Sequence, residues 1–224
     1  MKPTLKNLFT VSVLTAAMIT ASGSALAAGK MTGKQSVSID TVVETTAIES
    51  LSVDEEQGLL FMREEEKLAR DVYLTLYDVW GLQIFKNISE SEQSHMDAIK
   101  LLIEKYQLAD PVIDDSVGVY TDYHFVETYE ALVAKGTESL EGALQVGNMI
   151  EELDIKDIAE SIDAVDGNDD IVAVYEELMK GSRNHLRSFW DVLTRYGFAY
   201  EPQFISQEEF DAIINSPMES TNLK

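Results

Sequence analysis

From Ser52 to Tyr196 the chain carries four long stretches in which apolar residues recur every three or four positions, and no convincing stretch of period two. This periodicity constrains the fold most, because it gives each of four helices one apolar face and leaves nothing to build a sheet. The local punctuation agrees. Ser52-Val53-Asp54-Glu55 has the spacing of a capping box, and Gly81 stops the following helix after Trp80. A second helix is expected over Ser89–Tyr106, with Ser89 as its cap and Glu92 at the third position. Pro111 and the run Asp114-Asp115-Ser116-Val117-Gly118 mark a loop, and a short helix from Tyr123 to Lys135 should end at Gly136. Thr137 opens a third long helix over Glu138–Ala164, and Asp166-Gly167-Asn168 is a turn. A fourth runs from Asp169 to Tyr196 and stops at Gly197, and Ser206–Asn215 suits one last short helix.

The links inside the first and second helix pairs are short, so each pair is expected to be antiparallel. The link between the second and third long helices, Leu108 to Thr137, is long enough to run the length of a bundle. The expectation is an all-α four-helix bundle with one long crossover between helices two and three, containing a short extra helix. Residues 53–200 would form the bundle and 201–224 a tail.

The N-terminus reads as an address. Lys2 and Lys6 precede an uncharged, largely apolar run from Leu8 to Leu26, which ends in the small-x-small site Ala25-Leu26-Ala27. That order is expected of a signal peptide, residues 1–27, directing export to the periplasm or the medium. The alternative is an uncleaved anchor. Residues 28–52, rich in Ser, Thr and Val without a clear period, are expected to be a flexible leader. With 40 acidic and 17 basic residues the net charge is −23, which argues against nucleic acid and anionic lipid as partners and favours cations. No membrane association is expected after signal cleavage. The absence of Cys excludes disulfides, thiolate metal sites and cysteine nucleophiles.

The inward stripes carry the functional signal. They read Leu59, Met62, Glu66, Ala69, Tyr73 and Leu76; then Ile88, Glu92, His95, Ile99, Leu102 and Tyr106. The third gives Leu144, Gly147, Glu151, Asp154 or Ile155, and Ile158; the fourth gives Ile171, Val174, Leu178, Gly181, His185, Ser188 and Val192. Each stripe has an ionisable residue near its middle. Buried unpaired carboxylates would cost several kcal/mol each and repel one another. A divalent metal pair relieves both penalties, and carboxylate with imidazole suits iron or manganese. Glu92 and His95, three apart on one helix, point the same way.

These residues resemble the ferritin-like superfamily, its rubrerythrin branch above all, and also an uncharacterised bacterial family of ferritin-like domains. Glu66-Lys67-Leu68-Ala69-Arg70-Asp71-Val72-Tyr73 matches the first-helix pattern Glu-x-x-Ala-Arg-x-x-Tyr, and Glu92-Gln93-Ser94-His95 the second-helix Glu-x-x-His. Gly147-Asn148-Met149-Ile150-Glu151 follows Gly-Glu-x-x-Glu with Asn148 for the first Glu, and Ser182-Arg183-Asn184-His185 follows Glu-x-x-His with Ser182 for Glu. The resemblance implies a di-metal site, iron first and manganese second. Its ligands would be Glu66, Glu92, His95, Glu151 and His185, with Asp154 as a further candidate. Tyr73 and Ser182 would stand behind them, and the missing Glu at 182 would leave one subsite weak. It also implies oxidoreductase chemistry of the peroxidase or ferroxidase type. Without Cys for a rubredoxin-type centre, electrons would come from an external donor. A homodimer is compatible with it.

Blander readings stand beside these. Taken alone, Glu64-Glu65-Glu66-Lys67 reads as a solvated face; Glu92 suits a capping box; Glu152, Asp169 and Asp170 count towards an acidic surface. His124 reads as a surface or packing residue, and Phe189, Trp190 and Phe198 as core aromatics. Asp166 to Asp170 lacks the EF-hand pattern. The alternative function is a structural or partner-binding bundle of the cell envelope with a vestigial site.

Overall fold

The structure, a computed structural model, describes residues 38–223; the expected signal peptide lies outside them. Those residues form seven helices and no strand: α1 (Ile39–Thr45), α2 (Val53–Trp80), α3 (Gln83–Lys105), α4 (Tyr123–Glu138), α5 (Leu140–Ala164), α6 (Asp169–Arg195) and α7 (Gln207–Ile214). The four long helices close a ring of contacts: α2 on α3, α3 on α6, α6 on α5, and α5 on α2. α4 lies against α2 and α5, α1 against α3 and α6, and α7 against α6. No described helix is long and apolar enough to cross a membrane.

Sequence punctuation survives at several ends. Ser52 Oγ accepts from Glu55 N, and Glu55 Oε2 accepts from Ser52 N at 2.7 Å, a complete capping box. The other Glu55 oxygen takes Asp166 N and Asn168 Nδ2, tying the start of α2 to the α5–α6 turn. Gly81 closes α2 in the left-handed conformation, φ 65°.

Packing overrules punctuation elsewhere. α3 starts at Gln83, not Ser89, because Phe85 and Ile88 are buried and carry the helix backwards; Ser89 Oγ turns onto Lys86 O inside it. α4 runs through Gly136, where an added Cβ would sit 2.6 Å from Leu76. That glycine permits close packing on α2 and is not a stop. The break comes at Ser139, in extended backbone, whose hydroxyl accepts from Gly142 N and caps α5. Residues 39–45, expected within a flexible leader, are helical, because Ile39 and Val43 one turn apart bury against the core. Trp190 is only partly buried and packs edge-on against Phe210, and Phe198 is partly exposed against Tyr196.

The largest departure is on α2. Every residue from Met62 to Tyr73 is buried, including the run expected to face solvent. One side meets the core; the other meets the crossover, residues 106–122. Arg63 grips both oxygens of Asp110 at 3.1 Å. Glu64 accepts from the Thr121 and Asp122 amides. Lys67 reaches Asp71 and Ser116 O, and Arg70 bridges Asp71 and Asp115. Asp71 also accepts from Gly118 N and Tyr120 OH, so its partners span both segments. Truncating it leaves Lys67 buried without its carboxylate. Asp71→Ala is expected to cost about 3–5 kcal/mol in denaturant unfolding and to expose the crossover to limited proteolysis.

The tail folds back over the helices. Glu152, expected at the surface, is fully buried, and its Oε2 accepts from the amides of Gln203, Phe204 and Ile205. Asp170, also expected outside, is buried between Lys105 and Tyr106. Farther along, Glu219 pairs with Arg183 and Arg187. Hydrogen bonds from Arg183 hold the Glu219 carboxyl down at about 2, with Arg187 adding to the effect. Its folded pKa lies below its unfolded one, so this contribution is complete above the ordinary carboxylate range. It is lost as pH falls through that range towards 2. Hydrogen exchange in residues 216–222 is expected to accelerate across that window, and to be fast throughout in Glu219→Gln.

Candidate metal centre

α2 brings in Glu66, α3 Glu92 and His95, α5 Glu151 and Asp154, and α6 His185. All six are buried: the four carboxylates and His95 are at most 1% exposed, and His185 is 7% exposed. Two groups of donor atoms lie within 4.8 Å of one another, Glu92–His95–His185 and Glu92–Glu151–Asp154. Glu92 belongs to both. Its two oxygens stand 2.8 Å from His95 Nδ1 and 2.9 Å from His185 Nδ1. Glu66 is outside both groups and reaches the centre through His95 Nδ1, at 3.0 Å from its Oε2.

Other groups orient these. Tyr73 OH donates to Glu151 Oε1 at 2.5 Å. Ser91 Oγ lies 2.9 Å from His185 Nε2, leaving Nδ1 to face Glu92 and, at 3.3 Å, Glu151. The two imidazoles stack, 5.4 Å between centroids. Tyr73, Phe85 and Phe189 pack into an apolar wall beside the carboxylates. Ser182 is buried, but its hydroxyl turns back to Leu178 O and joins neither group. Asn148 donates to Leu144 O. His124 stands apart, edge-on to Phe125.

Electrostatics follow from burial. Desolvation would push Glu92 up, but the imidazoles of His185 and His95 outweigh it and hold the carboxyl well below its usual range. Burial pulls His95 down, yet Glu66 and Glu92 push it up to about 10; His185 is raised well above its ordinary value against the same penalty, by Glu92 and Glu151. Glu151 sits at about 7, raised by burial and Glu92 and opposed by His185 and Tyr73. Asp154 lies far above the carboxylate range through burial and the charges of Glu66, Glu65, Glu151 and Glu92. The imidazoles and carboxylates thus offset part of one another's burial cost.

The donor set fits a cation. Both Glu92 oxygens, both Asp154 oxygens, Glu66 Oε1, Glu151 Oε2 and His185 Nδ1 make no aligned hydrogen bond in the protein, although His185 Nδ1 lies 2.9 Å from one Glu92 oxygen and 3.3 Å from Glu151 Oε2. They are close without being aimed at each other. Donors about 2.1 Å from a common octahedral ion stand about 3 Å apart along its edges, which matches these separations. Oxygen and nitrogen donors without sulfur suit iron, manganese or magnesium. These buried Glu, His and Asp groups could hold a metal ion.

The pattern of a family described as "Uncharacterized protein domain (DUF2202)" matches residues 55–217, which include every one of these donors. The chain belongs to the DUF2202 family. This DUF2202 protein is 58% identical over 169 residues to "Uncharacterized protein MJ0754" of Methanocaldococcus jannaschii, covering 75% of this chain and 91% of that protein. Among solved structures it is similar to "Crystal structure of hypothetical protein MJ0754" from Methanococcus jannaschii. The TM-score is 0.76 at 56% identity, covering 78% of this chain and 99% of that one.

Sequence reasoning missed three neighbours of the centre in this DUF2202 protein. Ser91 carries no spacing signal, since its partner is on another helix. Glu65 sits in a charged run that locally has the pattern of a solvated face. Gly181 was placed on the α6 stripe without a role, and it proves to be where α6 passes the His95 ring. A Cβ there would lie 2.4 Å from His95 Nε2. Gly→Ala inside a helix ordinarily stabilises by up to about 1 kcal/mol. Gly181→Ala is expected instead to destabilise by about 1–3 kcal/mol through overpacking, read from the denaturant midpoint, and to shift the His95 ring resonances.

Proposed function

We propose that this protein binds a pair of divalent metal ions, iron or manganese, within a ferritin-like four-helix bundle, and serves outside the cytoplasm in redox or iron handling. The carrying observation is that Glu92 joins both donor groups, with Nδ1 of His95 and of His185 within 3 Å of its oxygens, at ion-pair distance but without an aligned hydrogen bond. A carboxylate between two such groups suits a bridging role, with His95, His185, Glu151 and Asp154 as terminal donors and Glu66 at His95. The ring of four long helices with one long crossover supports the ferritin-like reading.

Bound iron or manganese would supply one-electron chemistry towards oxygen or peroxide. The chain's own groups position the donors. Tyr73 steadies Glu151, Ser91 fixes the orientation of the His185 ring, and the Phe85–Phe189 wall packs beside Tyr73. Ser182 offers no carboxylate on α6, so one metal position would have fewer protein donors and could accept a small ligand. With no Cys in the chain, electrons for such chemistry would come from an external donor. Export rests on the sequence of residues 1–27, and the net charge of −23 would draw cations to the surface.

The test is the metal content of protein from residue 28 onward, expressed with added iron and manganese. About two equivalents per chain are expected from a carboxylate-bridged pair. The double variant Glu92→Leu/His95→Leu should bind none while keeping its helical circular dichroism. No metal in the wild type, and no uptake on anaerobic ferrous titration, would reject this function and leave a structural bundle.

A further inference from the structure

The polar character of the α2–α5 seam continues outward from the central cluster. Along α5, Glu151, Asp154, Asp157 and Ser161 follow at spacings of three and four, hence on one face. α2 contributes Glu66, Glu65 and, nearer its start, Gly58. Exposure rises outward. Asp154 is 1% and Glu65 2% exposed, the Asp157 side chain is 16% exposed, and Glu160 53%.

Several of these groups lack a partner in the protein. Neither Asp154 oxygen has one, nor does Glu65 Oε2. The Tyr175 hydroxyl also has none; a Cβ added at Gly58 would lie 3.3 Å from it and 4.0 Å from Ser161 Oγ. Besides burial, Glu65 feels the charge of Asp157 and a hydrogen bond with it, then the charge of Glu66, with Lys156 more weakly opposed; burial and the charges of Glu66 and Glu65 act on Asp154. Carboxylates are therefore linked from the central cluster to the surface. At the outer end the Lys156 ammonium holds Asp157 at 2.6 Å and Glu160 at 3.1 Å.

Buried carboxylates without cationic partners are costly, and no apolar core needs them in series. A structural role would pair them with Lys or Arg, as the crossover face of α2 does. We propose that Glu65 and Asp157 form a transfer station for divalent cations on the α2–α5 seam, passing them between solvent and Asp154 of the central cluster. This rests on the metal-binding reading above. Each carboxylate offers a oxygen donor to a cation that has shed part of its water, and Lys156 covers the outer mouth until a cation displaces it.

The experiment is stopped-flow loading of the metal-free protein with cobalt(II), followed by its visible absorption, with release driven by a chelator. Glu65→Gln and Asp157→Asn are expected to slow uptake and release by the same factor, on the order of tenfold. Stoichiometry should stay unchanged in both variants, and equilibrium affinity in Asp157→Asn, because a residue on the path alters the barrier and not the end states; Glu65→Gln, which removes a charge acting on Asp154, should change affinity far less than the rates. Lys156→Ala should speed both. Asp157 is partly exposed, so its variant tests the path even if Glu65→Gln folds poorly. Unchanged rates in both carboxylate variants overturn the proposal. So does lost affinity or stoichiometry, which would make Glu65 a ligand of the central cluster. A wild type that takes up no cobalt fails the metal-binding reading itself, a result separable from either.

Discussion

Glu92 is fully buried, and its two oxygens face the Nδ1 atoms of His95 and His185 at 2.8 and 2.9 Å. A carboxylate so placed is tolerable only where positive charge answers it, because desolvation alone costs several kcal/mol. The answer comes from two helices, α3 and α6, so those helices must lie close. Gly181 on α6 supplies the room, since any side chain there would strike the His95 ring. On the opposite side Gly147 gives Phe189 the same clearance, and Phe189 packs against Tyr73, which holds Glu151. The helix spacing, the glycines and the aromatic wall all follow from keeping charged groups in register inside an apolar core.

α2 works differently from the other long helices. Its inner face lends Glu66 to the centre, while Arg63, Glu64, Lys67, Arg70 and Asp71 hold the crossover. Its ion pairs are joined to backbone amides and carbonyls of the loop, so few lone pairs or protons are left over. The centre has the opposite character, with seven buried donor atoms that make no aligned hydrogen bond. Charge fully met by Lys, Arg and loop amides on one side of α2, and donor atoms without aligned hydrogen bonds on the other, separate what holds the fold from what could hold a metal ion.

Much of this was readable from residue spacing. The apolar stripes place Leu59, Met62, Ala69 and Leu76 on α2, and Ile99 and Leu102 on α3, in the core where they are found. Capping at Ser52 and the glycine stop at Gly81 were legible because both act within a few residues. The start of α3 and the end of α4 were not, because Phe85 and Leu76 decide them through contacts distant in sequence. The charged run Glu64 to Lys67 looks like a solvated face, since nothing local shows that the crossover covers it. Glu152 is hidden for the same reason: the amides it accepts lie some fifty residues on, at Gln203 to Ile205.

The sequence by itself determined the helical class, the long crossover, and much of the apolar stripe of α2 and α3, because helical period and caps are local properties. Only the tertiary structure decided that Glu92 stands between two histidines from different helices, that Asp154 joins it, and that Ser182 turns away to its own helix. It also decided that Glu65 lines a carboxylate series and does not face water. These depend on rotation and separation between helices. Those are set by the packing of Gly147, Gly181 and the aromatic wall, which no spacing along one helix records.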